Sequence, residues 1–306
     1  MILYNSGIVS PCCDENNIDG IEICENVPFS KLTTYGCGGT AKFVLYPKNF
    51  LQAKRAFNYV RNKKHFVLGN GSNVLASDGL FDGYILSTKK LKGIVRLSYC
   101  ELFCFAGTTV GELLNYCKIR GLSGIEYLAG IPASIGGIAF MNAGIANHYV
   151  QDNVAKVMLY NGKNIVLSNK RCNFSYKYST MRDINGIILG VLLKLEKKSP
   201  EFVERTISNF LQRRHHLPKG KSCGCVFKNY NGISAGKIIE DAGLKGTRLG
   251  TAQISEEHAN FIISNGKNSR DVRALIDYAK REVQKKFNIS LQEEVVYIGE
   301  FNDFNG

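Results

Sequence analysis

Between Gly130 and Gly144 the chain places four glycines and one proline in fifteen residues, with no charged side chain among them. Gly130-Ile131-Pro132-Ala133-Ser134-Ile135-Gly136-Gly137 is followed closely by Met141-Asn142-Ala143-Gly144. A run so apolar and so poor in side chains does not make a solvated surface loop. It suits buried backbone lying against a large cofactor, or a buried turn packed on its neighbours.

A second glycine cluster narrows that choice. Leu68-Gly69-Asn70-Gly71-Ser72-Asn73 follows the apolar run His65-Phe66-Val67-Leu68, which reads as a strand. Glycines at such a place let backbone N–H groups approach an anion, and Ser72 and Asn73 add side-chain donors. The dinucleotide fingerprint of a Rossmann fold is absent. The third glycine is missing, and Val74 to Gly79 does not read as an opening helix. A tight turn is the alternative reading. A third such element, Thr33-Thr34-Tyr35-Gly36-Cys37-Gly38-Gly39-Thr40-Ala41, leads into the strand Phe43 to Tyr46, closed by Pro47.

The chain has 306 residues, 44% hydrophobic and 21% charged, which is ordinary globular composition and enough for two domains. It contains no uncharged apolar run of about 18 residues, so no membrane span is expected. The start, Met1-Ile2-Leu3-Tyr4-Asn5, lacks the basic region and long apolar stretch of a secretion signal, and a cytoplasmic location is expected. The ten cysteines form no Cys-x-x-Cys pair and have no companion histidine pair. They read as scattered reduced thiols, and no metal site is expected. The formal charge is +13, from 39 Lys plus Arg against 26 Asp plus Glu. No basic run exceeds three residues and no aromatics interleave with the cations. Attraction of polyanionic small molecules therefore accounts for the charge better than nucleic acid.

Periodicity organises the rest. Val110 to Arg120 reads as a helix with Leu113, Leu114 and Cys117 on one face, ended by Gly121. Val154 to Leu159 and Ile187 to Leu195 read as strands. Lys198-Ser199-Pro200 breaks the pattern, and a helix is expected over Val203 to Arg214. Ser269 is the expected N-cap of a helix over 270–286, with Val272, Leu275, Ile276, Ala279 and Val283 as its apolar face. Residues 1–26 show no clear period and read as an extension. The expected division is 27–197 and 198–306.

In order and spacing, these segments resemble the UDP-N-acetylenolpyruvoylglucosamine reductase family. Its pattern runs through Thr-x-x-x-Gly-Gly-x-Ala, Gly-x-Gly-Ser-Asn-x-Leu-x-x-Asp and Gly-Leu-x-Gly-x-Glu-x-x-x-Gly-Ile-Pro, the last matched by Gly121 to Pro132. It continues through Met141 to Gly144 and Gly224-Cys225-Val226-Phe227-Lys228-Asn229, then Ala235 to Glu240, Gly243 to Gly246 and Ser255-x-x-His258-Ala259-Asn260-Phe261. The match covers about 27 to 300. The resemblance implies an α+β fold: a two-subdomain FAD-binding domain of the vanillyl-alcohol-oxidase (PCMH-type) class, then a smaller α/β substrate-binding domain. The length implies the short subclass without an inserted tyrosine loop. The resemblance also implies an enzyme that uses FAD, takes hydride from NADPH and reduces the enolpyruvyl ether of a UDP-sugar in cell-wall precursor synthesis. A monomer is expected, with neither nucleic acid nor membrane as partner. FAD would lie along Gly69, Asn70, Gly71, Ser72 and Asn73, along Gly130, Ile131, Pro132, Gly136 and Gly137, and along Asn142, Ala143 and Gly144.

The same resemblance assigns roles. Hydride goes to C3 of the enolpyruvyl group, charge develops at C2 and the carboxylate, and a proton must reach C2. Cys225 stands where the family carries its proton-donating serine. A thiol, with an ordinary pKa of about 8.5, is the stronger acid of the two. Glu294 matches the family's catalytic glutamate, with Glu293 as the alternative; in a strand only one of the two can face the site. Lys177, in Tyr176-Lys177-Tyr178-Ser179, falls where the family has arginine, keeping the charge but not the bidentate fork. Arg182 is a nearby second cation. Tyr176, Arg213 and Asn229 are marked as substrate contacts. Ile145-Ala146-Asn147 departs from the Ala-Tyr-Gly of the family, and Tyr149 is a displaced candidate for the missing aromatic. The competing readings are an FAD oxidoreductase with another acceptor, and a non-catalytic flavin protein that senses redox state through exposed thiols.

Overall fold

The computed structural model describes residue 18 and residues 20–145 and 148–301. Ala146 and Asn147, Cys12 and Cys13, and residues 1–17 and 19 of the expected extension lie outside the described residues.

The largely buried strand Thr40–Tyr46 and the nearly continuous apolar run Ile187–Lys194 define two sheets. The first is built from β1 (Glu22–Pro28), β2 (Thr40–Tyr46), α1 (Phe50–Val60), β3 (His65–Leu68), the short β4 (Val74–Ala76) and β5 (Leu80–Ser87). The strand order is β1-β2-β5-β3; β1 runs antiparallel to β2, and β2 and β3 run parallel to β5. The last residues of the expected extension, from Glu22, are thus an edge strand of this sheet.

The second sheet uses β6 (Ile94–Arg96), β7 (Glu101–Phe105), α2 (Val110–Arg120), α3 (Ile135–Phe140), β8 (Val154–Tyr160), β9 (Asn164–Ser168) and β10 (Ile187–Lys194). It is antiparallel throughout, in the order β9-β8-β10-β7-β6. α2 begins at a capping box: the Thr109 side chain takes the Glu112 N–H, and the Glu112 carboxylate takes the Thr109 N–H. It ends at Gly121, as its sequence predicts. Between the two sheets lies a core of Phe57, Leu86, Leu91, Ile187 and Leu189, into which α1 sends its apolar face.

The remainder comprises α4 (Pro200–Arg213), α5 (Ala235–Asp241), β11 (Ala252–Ile254), β12 (Ile262–Ser264), α6 (Arg270–Phe287) and β13 (Val296–Ile298). α4 starts three residues earlier than expected because Ser199 caps it and Pro200 occupies its first turn. Its Ile207 and Phe210 pack on the core that α2 and α3 share with the second sheet. α6 buries Val272, Leu275, Ile276, Ala279 and Val283 against β11 and β12, its four larger aliphatic side chains contributing about 2 kcal/mol each.

Ser269 does not act as an N-cap acceptor. Its backbone is already helical, and its N–H and hydroxyl both donate to Asp78 Oδ1, at 2.6 and 3.0 Å, while Arg270 N–H donates to Oδ2 at 3.0 Å. A carboxylate reaching across from the β4–β5 turn satisfies the helix terminus better than a hydroxyl, because its charge complements the helix dipole. The chain then returns: β13 pairs parallel with β4, and Tyr35, Cys37 and Leu75 are buried in the core that α5, α6, β11 and β12 share. The mixture of sheets and helices is the α+β arrangement expected from the sequence.

Candidate active site

The three glycine-rich segments converge on one cavity of about 1040 Å³, together with Lys177, Arg182, Arg214, Cys225, His258 and Glu294. The contacts that close its walls are made at glycines. Gly71 has φ +69°, and a Cβ there would lie 2.3 Å from Leu32 O. A side chain would thus be strained and would strike backbone. A Cβ on Gly69 would lie 2.6 Å from Ser134 Oγ, and one on Gly136 would lie 2.9 Å from Ala106 Cβ. Asn70 Nδ2 donates to Pro132 O at 2.7 Å, joining the first glycine loop to the second. Thr34 joins the third: its N–H donates to Gly71 O at 3.0 Å, and its hydroxyl to Ser222 O at 2.7 Å.

This cradle fits a flavin dinucleotide. Among the described residues, the backbone N–H groups of Gly69 to Asn73 donate to no protein acceptor, so they remain free for phosphate oxygens. The apolar wall of Ile131, Ile138, Leu159 and Ile188 suits an aromatic ring system.

Cys225 and Glu294 reach the cavity through one short backbone ladder. Cys225 bridges to Phe261, and Phe227 bridges to Glu293. Glu294 N–H donates to Val226 O at 2.7 Å, and Asn73 Nδ2 donates to Glu294 O at 3.0 Å, so the glycine loop and the carboxylate share a fixed frame. Alternation then sends the two adjacent glutamates apart. Glu294 enters the cavity and pairs with Lys177, Nζ to Oε1 2.9 Å. Glu293 faces α6, where it accepts from Arg273 at 3.1 Å, Lys280 at 2.5 Å and Tyr297 at 2.5 Å. The Lys177–Glu294 pair is largely withdrawn from water, with side-chain exposures of 17% and 11%.

These surroundings set the proton affinities. Burial pushes the Cys225 thiol up, and the Glu294 carboxylate pushes it further; Lys177, Arg214 and a hydrogen bond from Asn260 oppose them, leaving it at about 11. At neutral pH the thiol is therefore protonated. Burial pulls the Lys177 ammonium down, but the contact with Glu294 outweighs it and holds the group above its ordinary value. Burial lowers Arg214, with Cys225 opposing. His258 is likewise lowered by burial; Asn260 N–H donates to its Nδ1 at 3.2 Å, which fixes the proton of the neutral ring on Nε2.

Of the residues expected from the sequence, Gly69 to Asn73, Gly130, Ile131, Pro132, Gly136, Gly137, Ala143 and Gly144 line the cavity, as do Cys225, Lys177 and Glu294. Four do not. Asn142 is 1% exposed and spends its amide on Gln151 and on Ser175 O, at 2.8 Å each from Nδ2, so it braces the next loop. Arg213 is exposed and stacks over Phe210; one step along a helix rotates the side chain by about 100°, and Arg214 turns inward instead. Tyr176 points away from Lys177, its hydroxyl accepting the Asn229 N–H at 3.1 Å. The Asn229 side chain takes the Ala235 N–H at the start of α5. Tyr149 meets Tyr176 edge-on, at 6.5 Å between ring centres. Arg214, Thr34 and His258 were not anticipated in the cavity, although His258 and Thr34 both stand inside motifs visible in the sequence. Among the described residues Cys24, Cys100 and Cys225 are half-buried and the other five cysteines are buried.

Comparison with known proteins adds the following. Residues 215–298 match the family described as UDP-N-acetylenolpyruvoylglucosamine reductase, C-terminal domain, and residues 41–168 match an FAD binding domain. The UDP-N-acetylenolpyruvoylglucosamine reductase of Moorella thermoacetica is 33% identical over 286 residues, covering 92% of this chain and 94% of that protein. The Synechococcus protein of the same name is 35% identical over 288 residues, covering 90% and 91%. The crystal structure of the Thermus caldophilus reductase superposes with a TM-score of 0.76 at 34% identity, covering 91% of this chain and 100% of that one.

Proposed function

The chain belongs to the UDP-N-acetylenolpyruvoylglucosamine reductase family, and from that premise we propose how its own residues carry the reaction. It is an FAD-dependent oxidoreductase that takes its reducing equivalents from NADPH and reduces the enolpyruvyl group of a UDP-sugar in peptidoglycan precursor synthesis. The bound flavin supplies hydride transfer, which no amino-acid side chain can.

The protein must then supply a proton and hold charge. Cys225 is the proton donor to C2: at about 11 its thiol stays protonated at working pH, and the residue lines the cavity. Lys177 and Arg214 stabilise the thiolate left behind and the carboxylate of the substrate. Glu294 holds the Lys177 ammonium in place and relays the proton that restores the thiol. The observation that carries this reading is the buried Lys177–Glu294 pair, 2.9 Å long, set against the Cys225 thiol in a glycine-lined cavity. The flavin would be held along Gly69 to Asn73, Gly130 to Gly137 and Ala143 to Gly144.

The reading takes residues 27–197 as the flavin unit and 198–306 as the substrate unit, in a cytoplasmic monomer that needs neither nucleic acid nor membrane. Among the described residues no helix is long and apolar enough to cross a membrane.

The test separates the half-reactions. The protein is reduced anaerobically with one equivalent of NADPH, UDP-N-acetylglucosamine enolpyruvate is added, and the flavin band near about 450 nm is followed. Rapid reoxidation is expected. Cys225→Ala should abolish it while leaving flavin reduction by NADPH nearly intact; survival of both steps would remove Cys225 from the donor role.

A further inference from the structure

Lys177 sits in a backbone conformation that its sequence does not favour. Its φ is +57°, in the left-handed region, which costs a lysine about 1 kcal/mol. Ser175 and Tyr178 exchange both backbone hydrogen bonds at 3.1 Å, so Tyr176 and Lys177 form the tip of a tight turn. Lys177 occupies the third position of that turn, where a positive φ ordinarily selects Gly or Asn. The surroundings must therefore hold it there.

Arg182 is placed to do so. Its Nη1–H donates to the Lys177 carbonyl at 2.9 Å, and its guanidinium lies over the Phe140 ring at 5.8 Å. Two further bonds tie the same turn to the end of α3: Asn142 Nδ2 to Ser175 O at 2.8 Å, and Ser179 Oγ to Phe140 O at 2.7 Å. A carbonyl held by a charged donor resists rotation of its peptide plane more strongly than one held by a neutral group. We propose that Arg182 is a positioning residue: by gripping the Lys177 carbonyl it keeps the turn left-handed and aims the Lys177 ammonium at Glu294. The inference rests on the assignment of Lys177 to the site. Arg182 also lines the cavity, so direct contact with the substrate is the competing role.

A double-mutant cycle separates the two. The holoenzyme, Arg182→Met, Lys177→Met and the double variant are reduced with NADPH, and reoxidation by UDP-N-acetylglucosamine enolpyruvate is timed in a single turnover. Arg182→Met should slow reoxidation about tenfold, since misplacing a site group by about 1 Å can cost up to about 100-fold. It should cost less than about twofold in the Lys177→Met background, because a residue that acts through another has nothing left to position. Equal slowing in both backgrounds would overturn the inference in favour of direct contact, and no slowing in the native background would overturn it outright. Should Lys177→Met reoxidise normally, the assignment of Lys177 falls and this inference with it. An impaired Lys177→Met beside an unimpaired Arg182→Met sinks this inference alone. If Arg182→Met loses its flavin, Arg182→Gln, which keeps an N–H donor, goes through the same cycle.

Discussion

Raising the pH is a direct probe of Cys225 as the proposed proton donor. Burial and the Glu294 carboxylate push the Cys225 thiol to about 11 against the pull of Lys177, Arg214 and the Asn260 hydrogen bond. The donor works in its protonated form, so a raised pKa extends activity upward. At pH 9 a thiol left at its ordinary value of about 8.5 is about three-quarters ionised, whereas one at about 11 is only about 1% ionised. Single-turnover reoxidation of the NADPH-reduced enzyme should therefore be nearly flat from pH 7.5 to about 10, fall to half near 11, and drop about tenfold per unit beyond. Flavin reduction by NADPH, followed over the same range, controls for loss of structure. Cys225→Ser should retain activity and lose this limb, because a serine hydroxyl does not titrate there. A limb centred near 9 in the native enzyme would refute the argument from burial. An unchanged limb in Cys225→Ser would move the titration to another group.

Three further outcomes are expected. Lys177→Met leaves the Glu294 carboxylate largely enclosed without its partner, and should lower stability by about 3 kcal/mol; urea unfolding of the native protein and the variant at pH 7.5 checks it, and an unchanged midpoint would refute it. Gly71→Ala should yield protein that loses its yellow colour on gel filtration, because a Cβ 2.3 Å from Leu32 O forces the cradle open; full flavin retention would refute the close-approach argument. Burial raises several thiols above their ordinary value, Cys37 and Cys172 to about 11 and Cys104 and Cys223 to about 12. A raised folded-state value is stabilising below the unfolded pKa and is lost as pH climbs through the folded one, so the melting temperature should fall steadily from pH 9 to 11. A flat profile would contradict it.

The parts of this structure that the sequence reveals are those fixed by local rules. β10 is legible because a strand buried on both faces is apolar throughout, and α2 because Leu113, Leu114 and Cys117 share one face and Gly121 ends it. β1 is not, since Glu22–Pro28 has no alternation and becomes a strand only by pairing with β2. Nor is β13, whose three residues pair with β4 from the opposite end of the chain. In the site, alternation correctly limits Glu293 and Glu294 to one inward carboxylate, but the choice between them lies with α6, whose Arg273 and Lys280 capture Glu293. Arg213 and Arg214 differ by one helical step, and the phase of α4 is set by its packing on α2. Asn142 sits in a glycine-rich motif that suggests a ligand, yet its buried amide serves the turn that carries Lys177. Each of these depends on contacts between segments far apart in sequence, which no local pattern encodes.

Two of the three departures from the family pattern, Cys225 and Lys177, form one electrostatic unit. Glu294 raises the thiol, and Lys177, seated 2.9 Å from that carboxylate, cancels much of its field while also drawing the thiol down directly. With Lys177 absent, the bare carboxylate would push the thiol higher and weaken it as an acid. With Glu294 absent, Lys177 and Arg214 would pull the thiol down from about 11, against burial, which is the largest cause raising it. At about 11 the group keeps its proton against water at neutral pH and is still a far stronger acid than a hydroxyl facing a developing carbanion. A serine in the same place would keep its proton regardless of such neighbours, so the charge balance around position 225 matters more in this chain than in relatives that retain the hydroxyl.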